Sequence, residues 1–313
     1  MLALERGPVN FMGQRLALLL LSGVLVTVSL VSLYVQGLNF GLDFNGGVAL
    51  QLEVPGAASR QSPLESIRAR LEALGYRDAS VVAFGSDTDV MVRIGNNDDP
   101  LLGDRLVADL RARIDPDITL LGMEYVGPST GEELRERGGL AMLLALGLVA
   151  LYISIRFQAK FAAGALLALV HDVIITLGCF SLSRWEFNLS VLAAILALIG
   201  YSINDTIVVF DRIREVFRKA RTLDTVQVIN TAISSTLDRT LVTSLTTLLV
   251  LVCLAVLGGE MINGFAIALI VGICIGTYSS IYVAANVLML LNVSKEDLMI
   301  PVKEGVEQDD LSP

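Results

Sequence analysis

The stretch Phe187–Arg212 reads FNLSVLAAILALIGYSINDTIVVFDR and decides the fold class. Its apolar part, Phe187–Phe210, is long enough to cross a bilayer, which takes roughly 20 residues of helix. Near its far end stands one carboxylate, Asp205, where an ionisable group is costly and is normally functional or paired. Five other apolar runs are long enough to cross, at Leu16–Val35, Gly139–Ile155, Phe161–Leu182, Leu241–Gly259 and Ile262–Leu291. The run at Gly139 is short and the last is long, which predicts tilt or an interfacial extension. Composition points the same way: of 313 residues 54% are apolar and 18% charged, with mean hydropathy +0.67, against about 25% charged in globular domains. A freely soluble enzyme and a disordered chain are excluded. A net charge of −9 argues against a nucleic-acid partner. Cys179, Cys253 and Cys274 lie inside apolar runs without paired spacing, so neither a disulfide nor a metal site is expected.

Basic residues orient the spans, because Lys and Arg accumulate on the cytoplasmic side. Arg6 and Arg15 precede the first span, and Arg156 and Lys160 lie between the second and third. Arg212, Arg214, Arg218, Lys219, Arg221 and Arg239 follow the fourth, whereas the third-to-fourth connection has only Arg184. Both termini are therefore expected in the cytoplasm, with the long segment after the first span outside. The first span is too long for the core of a signal peptide and is expected to be retained. The expected organisation is a stub and first span over 1–36, an outer domain over 37–138, and five spans over 139–291 with a basic cytoplasmic loop at 211–239. An acidic tail over 292–313 is expected to be disordered. Within the loop, Ile213, Val216, Phe217 and Ala220 share a face, which predicts a membrane-surface helix.

The outer segment alternates patterns in the order β-α-β-β-α-β: strands at Gly47–Val54, Ala79–Phe84, Asp89–Ile94 and Ile118–Val126, helices at Pro63–Leu74 and Leu101–Ile114. That order is the ferredoxin-like sandwich, so the fold class is an α+β membrane protein. Ten Arg face seventeen acids between Gly41 and Gly138. This is read as a solvated surface, the alternative being a face that repels or selects passing polypeptide. The segment Gly41-Leu42-Asp43-Phe44-Asn45-Gly46-Gly47 packs three glycines where a span hands over to a sheet. It lacks the Lys of a phosphate-binding loop, and Gly41, Asp43, Gly46 and Gly47 are read as a structural hinge.

Polar groups at membrane depth are the candidate site. Asp205 lies roughly 22 Å below the outer end of its helix at 1.5 Å per residue. Burial favours the neutral form of any carboxyl and a nearby cation favours the ionised form, so a group poised between them can load and release a proton; a static ion pair or hydrogen bond is the alternative. Arg239 enters the next span from the same side and is its natural partner, or else an interfacial anchor. Ser202, Asn204, Asp172 and His171 are supporting polar groups. His171 and Asp172 are consecutive, so they are expected to point apart and to form no relay by themselves. Ala268, Gly272, Gly276, Ser280 and Ala284 repeat every four residues and predict a tight helix–helix seam.

These motifs resemble the SecF branch of the SecD/SecF family, within the resistance-nodulation-division (RND) superfamily. The likeness rests on Gly41–Gly47, His171-Asp172, the run Gly200–Glu215, Arg239-Thr240-Leu241 and Gly276–Tyr282. It implies six helices forming half of a twelve-helix bundle, with SecD supplying the other half. It also implies a non-enzymatic motor subunit in the inner membrane that uses the proton gradient, with no cofactor, to promote export of unfolded polypeptide after the SecA step. SecYEG and YajC are the further partners it implies, and it places a proton-pathway carboxylate at Asp205 and an arginine at Arg239. Two rival readings are a homodimeric RND-type exporter of small molecules or lipids, and a scaffold that only stabilises a larger complex.

Overall fold

The structure, a computed structural model, describes residues 9–55, 63–84, 86–95, 97, 99–219, 224–294 and 297. Arg6, Ala220, Arg221 and most of the acidic tail lie outside these residues. A 3-10 turn at Phe11–Gln14 leads into α1 (Arg15–Val35), followed by β1 (Asn39–Phe40), α2 (Leu42–Asn45) and β2 (Gly47–Glu53). Next come α3 (Pro63–Ala73), β3 (Ser80–Phe84), β4 (Ser86–Gly95), α4 (Leu102–Arg113) and β5 (Thr119–Val126). The rest is helical apart from β6 (Glu186–Phe187): α5 (Pro128–Arg156), α6 (Ala159–Ser183), α7 (Leu189–Lys219), α8 (Thr225–Leu257) and α9 (Glu260–Tyr278). A π turn at Ser279–Val283 joins α9 to α10 (Ala284–Leu290).

Six of these helical stretches are long and apolar enough to span a membrane. Their most apolar windows are 61%, 56% and 50% buried in α6, α7 and the α9–α10 stretch, but only 17%, 11% and 17% in α1, α5 and α8. The first three are therefore the centre of the bundle, and the others present apolar faces outward. The small residues of the last span do form a seam: Ala268, Ser280 and Ala284 are buried, and a Cβ on Gly272 would overlap the Leu198 side chain of α7. Backbones meet closely where side chains are smallest.

Two boundaries differ from the sequence reading. α5 starts at Pro128 rather than near Gly139, with the proline in the first helical turn where its missing N–H costs nothing. The stretch read as a cytoplasmic loop is mostly helix, because α7 continues to Lys219 and α8 begins at Thr225. Asp224 starts α8 with a reciprocal capping box: its Oδ1 accepts from the Gln227 N–H at 2.7 Å, and Gln227 Oε1 accepts from the Asp224 N–H. Ile213, Val216 and Phe217 are buried in one cluster with Phe157, Phe161, Val228 and Ile229. Their apolar face thus meets protein, and no membrane-surface helix forms over the described part of that segment. The start of the tail is also held, since Lys160 Nζ donates to the Asn292 carbonyl at 3.1 Å and to Asp297 Oδ2 at 2.8 Å.

Outside the bundle, four antiparallel strands pair in the order β3-β4-β2-β5, with α3 and α4 supplying the second layer. Val48, Leu50, Leu52, Val90 and Val92 of the sheet share a core with Ile67, Leu71, Leu106 and Leu110 of the helices. This is the βαββαβ sandwich that the alternation of strand and helix patterns predicts.

Candidate functional site

Asp205 is held inside the bundle by α7, whose apolar residues pack on α6 and α9. It is only 4% exposed, and its Oδ2 has no hydrogen-bond partner among the described residues. The buried hydroxyls of Tyr201 and Thr240 are likewise unpartnered there. A buried polar atom left unpaired costs on the order of 1–3 kcal/mol, so such a set marks a place where the fold tolerates expense. Arg239, on α8, is exposed. It stands on the helix that packs against α7, and its side chain forms no ion pair with Asp205. Beneath them a cleft of about 300 Å³ opens between α7 and α8, lined by Val208, Asp211, Arg212, Glu215, Thr236 and Arg239. Its rim is laced together: Asp211 pairs with Arg156 at 2.7 Å and with Arg214 at 3.3 Å, and Arg212 Nε donates to Ser235 Oγ at 2.8 Å. Asn204, on the neighbouring face of α7, is exposed and stands apart from this group.

A second polar centre lies where α6, α7 and the π turn meet. Asp172 is fully buried; its Oδ2 accepts from Ser202 Oγ at 2.5 Å and from Ser279 Oγ at 2.7 Å. Its Oδ1 lies 2.9 Å from His171 Nδ1. The expectation that these consecutive residues point apart is therefore corrected: their side chains meet. Ser279 enters the sequence analysis only as part of the Gly276–Tyr282 motif and with no role of its own, because nothing in a run of small and apolar residues announces a π turn. Such turns widen a helix locally and recur at functional sites.

A family profile described as "Protein export membrane protein SecD/SecF, C-terminal" matches residues 106–294, and one described as "SecD/SecF GG Motif" matches residues 31–54. The chain belongs to the SecD/SecF family. It is 47% identical to the protein translocase subunit SecF of Pseudomonas aeruginosa over 304 residues, covering 97% of this chain and 98% of that one. The SecF of Escherichia coli O157:H7 is 37% identical, covering 94% of this chain and 91% of the relative. Among solved structures, SecDF from Thermus thermophilus, a translocon-associated membrane protein, superposes with a TM-score of 0.80 at 36% identity. SecDF in a super-membrane-facing form gives a TM-score of 0.66 at 37% identity. Each comparison covers 92% of this chain but 39% of the longer SecDF chain. The chain is a subunit of the SecD/SecF type for protein translocation, built as a multi-pass membrane protein.

The family's GG motif, read from the sequence as a structural hinge, forms a packed junction. The Gly41 N–H donates to the Phe187 carbonyl at 2.9 Å, beside the parallel pairing of β1 with β6. Gly46 and Gly47 have φ of +70° and +133°, and a Cβ on Gly46 would come within 2.8 Å of Pro128 Cα. Only glycine suits both the dihedrals and the close approach. Asp43 Oδ2 accepts from the Leu189 N–H at 2.8 Å, capping the first turn of α7. Arg93 of β4 pairs with Glu186 of β6, and Arg135 lies 4.4 Å over the Phe40 ring. The helix that carries Asp205 is thus joined at its first residue to the junction from which the sheet starts.

Proposed function

We propose that the chain is the six-helix half of a proton-driven motor, with Asp205 as the group that binds and releases the proton. The observation that carries this reading is the buried carboxylate oxygen of Asp205, unpaired among the described residues, with Arg239 on the adjacent helix. Burial of a charge without a partner is costly, and neutralising the group removes that cost. Approach of Arg239 stabilises the ionised form and its withdrawal favours the protonated form. Repacking of α7 against α8 would accompany each change, since one charge is enough to bias a bistable helix contact.

In this reading the chain lies in the cytoplasmic membrane with both termini inside and the βαββαβ domain outside. The longer SecDF chain, of which this chain covers 39%, supports a SecD-like part as the second half of the assembly, and the translocase relatives support a channel such as SecYEG, with YajC, as further partners. The cargo is unfolded polypeptide, the role is mechanical with no catalysis, and the proton gradient replaces a cofactor. The test is Asp205→Asn in membranes energised by a proton gradient alone. Export beyond the ATP-driven step is expected to lose its gradient-dependent gain, with the variant still assembled; an undiminished gain would refute the role of Asp205.

A further inference from the structure

His171 is the one histidine in the chain, and it sits against the most deeply buried carboxylate in the bundle. We propose that His171 and Asp172 form a second proton-holding site, distinct from Asp205, in which one proton is taken up at His171 Nε2. The proposal deepens the proton-driven reading and rests on it for its purpose, although the chemistry of the pair stands on its own geometry.

Ser202 and Ser279 donate to Asp172 Oδ2, and His171, when its Nδ1 carries the proton, donates to Oδ1 at 2.9 Å. That is the hydrogen-bond set an ionised carboxylate requires. Among the described residues no Lys or Arg is a partner of Asp172, and a buried anion without a cation is strongly disfavoured. The one group in contact that can become a cation is His171. Its Nδ1 faces the carboxylate, while its Nε2 is buried with no hydrogen-bond partner among the described residues. With Nδ1–H donating to Asp172, the Nε2 lone pair is free to accept a proton. Uptake yields an imidazolium beside a carboxylate, a pair with no net charge, and loss of the same proton restores the neutral ring. No bond other than N–H forms or breaks, and the proton itself is the only reactant.

The surroundings leave few competing titratable groups. α1 has none between Arg15 and Tyr34, and α5 has none between Arg137 and Tyr152. α9 contributes Cys274 and Tyr278, whose ring lies 6.4 Å from that of His171 and whose hydroxyl is engaged by the Leu18 carbonyl. The π turn adds Tyr282, and α7 adds Tyr201 and Asp205. The π turn places Ser279 on the carboxylate, and at Gly276 an added Cβ would lie 3.5 Å from Asp172 Oδ2, so α9 approaches closely here. Ser202 lies one helical turn from Asp205 on α7. The charge state of the dyad therefore acts on the same helix as Asp205 through the serine that Asp172 holds.

A single histidine makes the test direct. The full chain, purified through a tag without histidine and labelled with ¹⁵N-histidine, is reconstituted in liposomes, and its imidazole nitrogens are read by solid-state NMR. Between about pH 5 and 9, which brackets the ordinary imidazole value, the neutral Nδ1–H form is expected at the alkaline end and imidazolium at the acid end. Asp172→Asn is expected to abolish the imidazolium signal over that range. A neutral Nε2–H tautomer, an unchanging spectrum, or an imidazolium signal that persists in Asp172→Asn would overturn the dyad. If that variant does not fold, the wild-type spectrum decides by the first two criteria. Asp205→Asn separates this proposal from the motor reading: the dyad predicts that the His171 signals still titrate in it, whatever happens to export. Loss of that titration in a folded Asp205→Asn protein would merge the two sites and overturn their independence.

Discussion

Replacing Asp43 by Ala is expected to loosen the first turn of α7 selectively. The first N–H groups of any helix lack intrahelical acceptors. In α7 they are served from two directions: Asn188 Oδ1 accepts from the Val191 N–H at 3.0 Å, and Asp43, 146 residues away, accepts from the Leu189 N–H at 2.8 Å. Loss of a cap of this kind costs about 1 kcal/mol. Loss of the negative charge at the positive end of the helix dipole adds about 0.5 kcal/mol. The sum corresponds to about a tenfold increase in opening, since 1.4 kcal/mol is a factor of ten.

Hydrogen exchange followed by mass spectrometry over Leu189–Leu192 measures that opening. Asp43→Ala should exchange about tenfold faster there, by the same conversion. Asp43→Asn keeps an acceptor and loses only the charge contribution, so about a twofold change is expected. Equal exchange in Ala, Asn and unmodified protein would refute the capping argument. So would an acceleration spread evenly along α7 past Asp205, because that is global loosening and leaves the junction without a special part.

Gly272→Leu should destabilise the bundle by more than the roughly 1–3 kcal/mol typical of overpacking, because the added side chain must displace Leu198 of α7. Gly23→Leu on α1, where nothing lies within 4 Å of an added Cβ, should leave the thermal midpoint in detergent unchanged. In the outer domain, the Arg70 guanidinium donates to both oxygens of Asp109 and holds that carboxyl below its usual value. The stability from this pair is therefore complete above the ordinary carboxylate range and is lost as pH falls through the lowered value. Acid titration followed by exchange in α3 and α4 should show that loss, and Asp109→Asn should abolish it.

Periodic features were legible in the sequence, and singular ones were not. The βαββαβ order emerges because every strand and helix repeats its apolar residues over several turns or pleats. The pairing of β1 with β6 is only two residues long on each side, too short for any period to register. The first turns of α5 were missed because Glu132, Glu133, Arg135, Glu136 and Arg137 lower the hydropathy without opposing the helix. Burial of Asp205 followed from the apolar run around it. Contact between His171 and Asp172 did not, because the neighbour rule for helices follows Cβ directions and ignores where longer side chains bend. Arg239 was correctly placed in sequence on the next helix, but the length of its side chain leaves its distance to Asp205 open until coordinates fix it.

The position of Asp205 on α7 bears on how a proton could do mechanical work. Between Leu189 and Asp205 the helix is continuous and contains no proline, so about 24 Å at 1.5 Å per residue separates the capped end from the carboxylate. Its seam with α9 is close at Gly272 and Gly276, where the side chains of Leu198 and Ser202 pack against bare backbone. At the other end, Ile213, Val216 and Phe217 anchor α7 in an apolar cluster with Phe157, Phe161, Val228 and Ile229, and the partly exposed pairs around Asp211 and Arg212 add about 0–1 kcal/mol each. The outer end is tied through the Asp43 cap, the β1–β6 pairing and the Arg93–Glu186 pair. In the proposed cycle, a displacement begun at Asp205 reaches the sheet through that junction. Severing the junction with Asp43→Ala together with Glu186→Gln should then uncouple the outer domain while leaving proton binding at Asp205 in place.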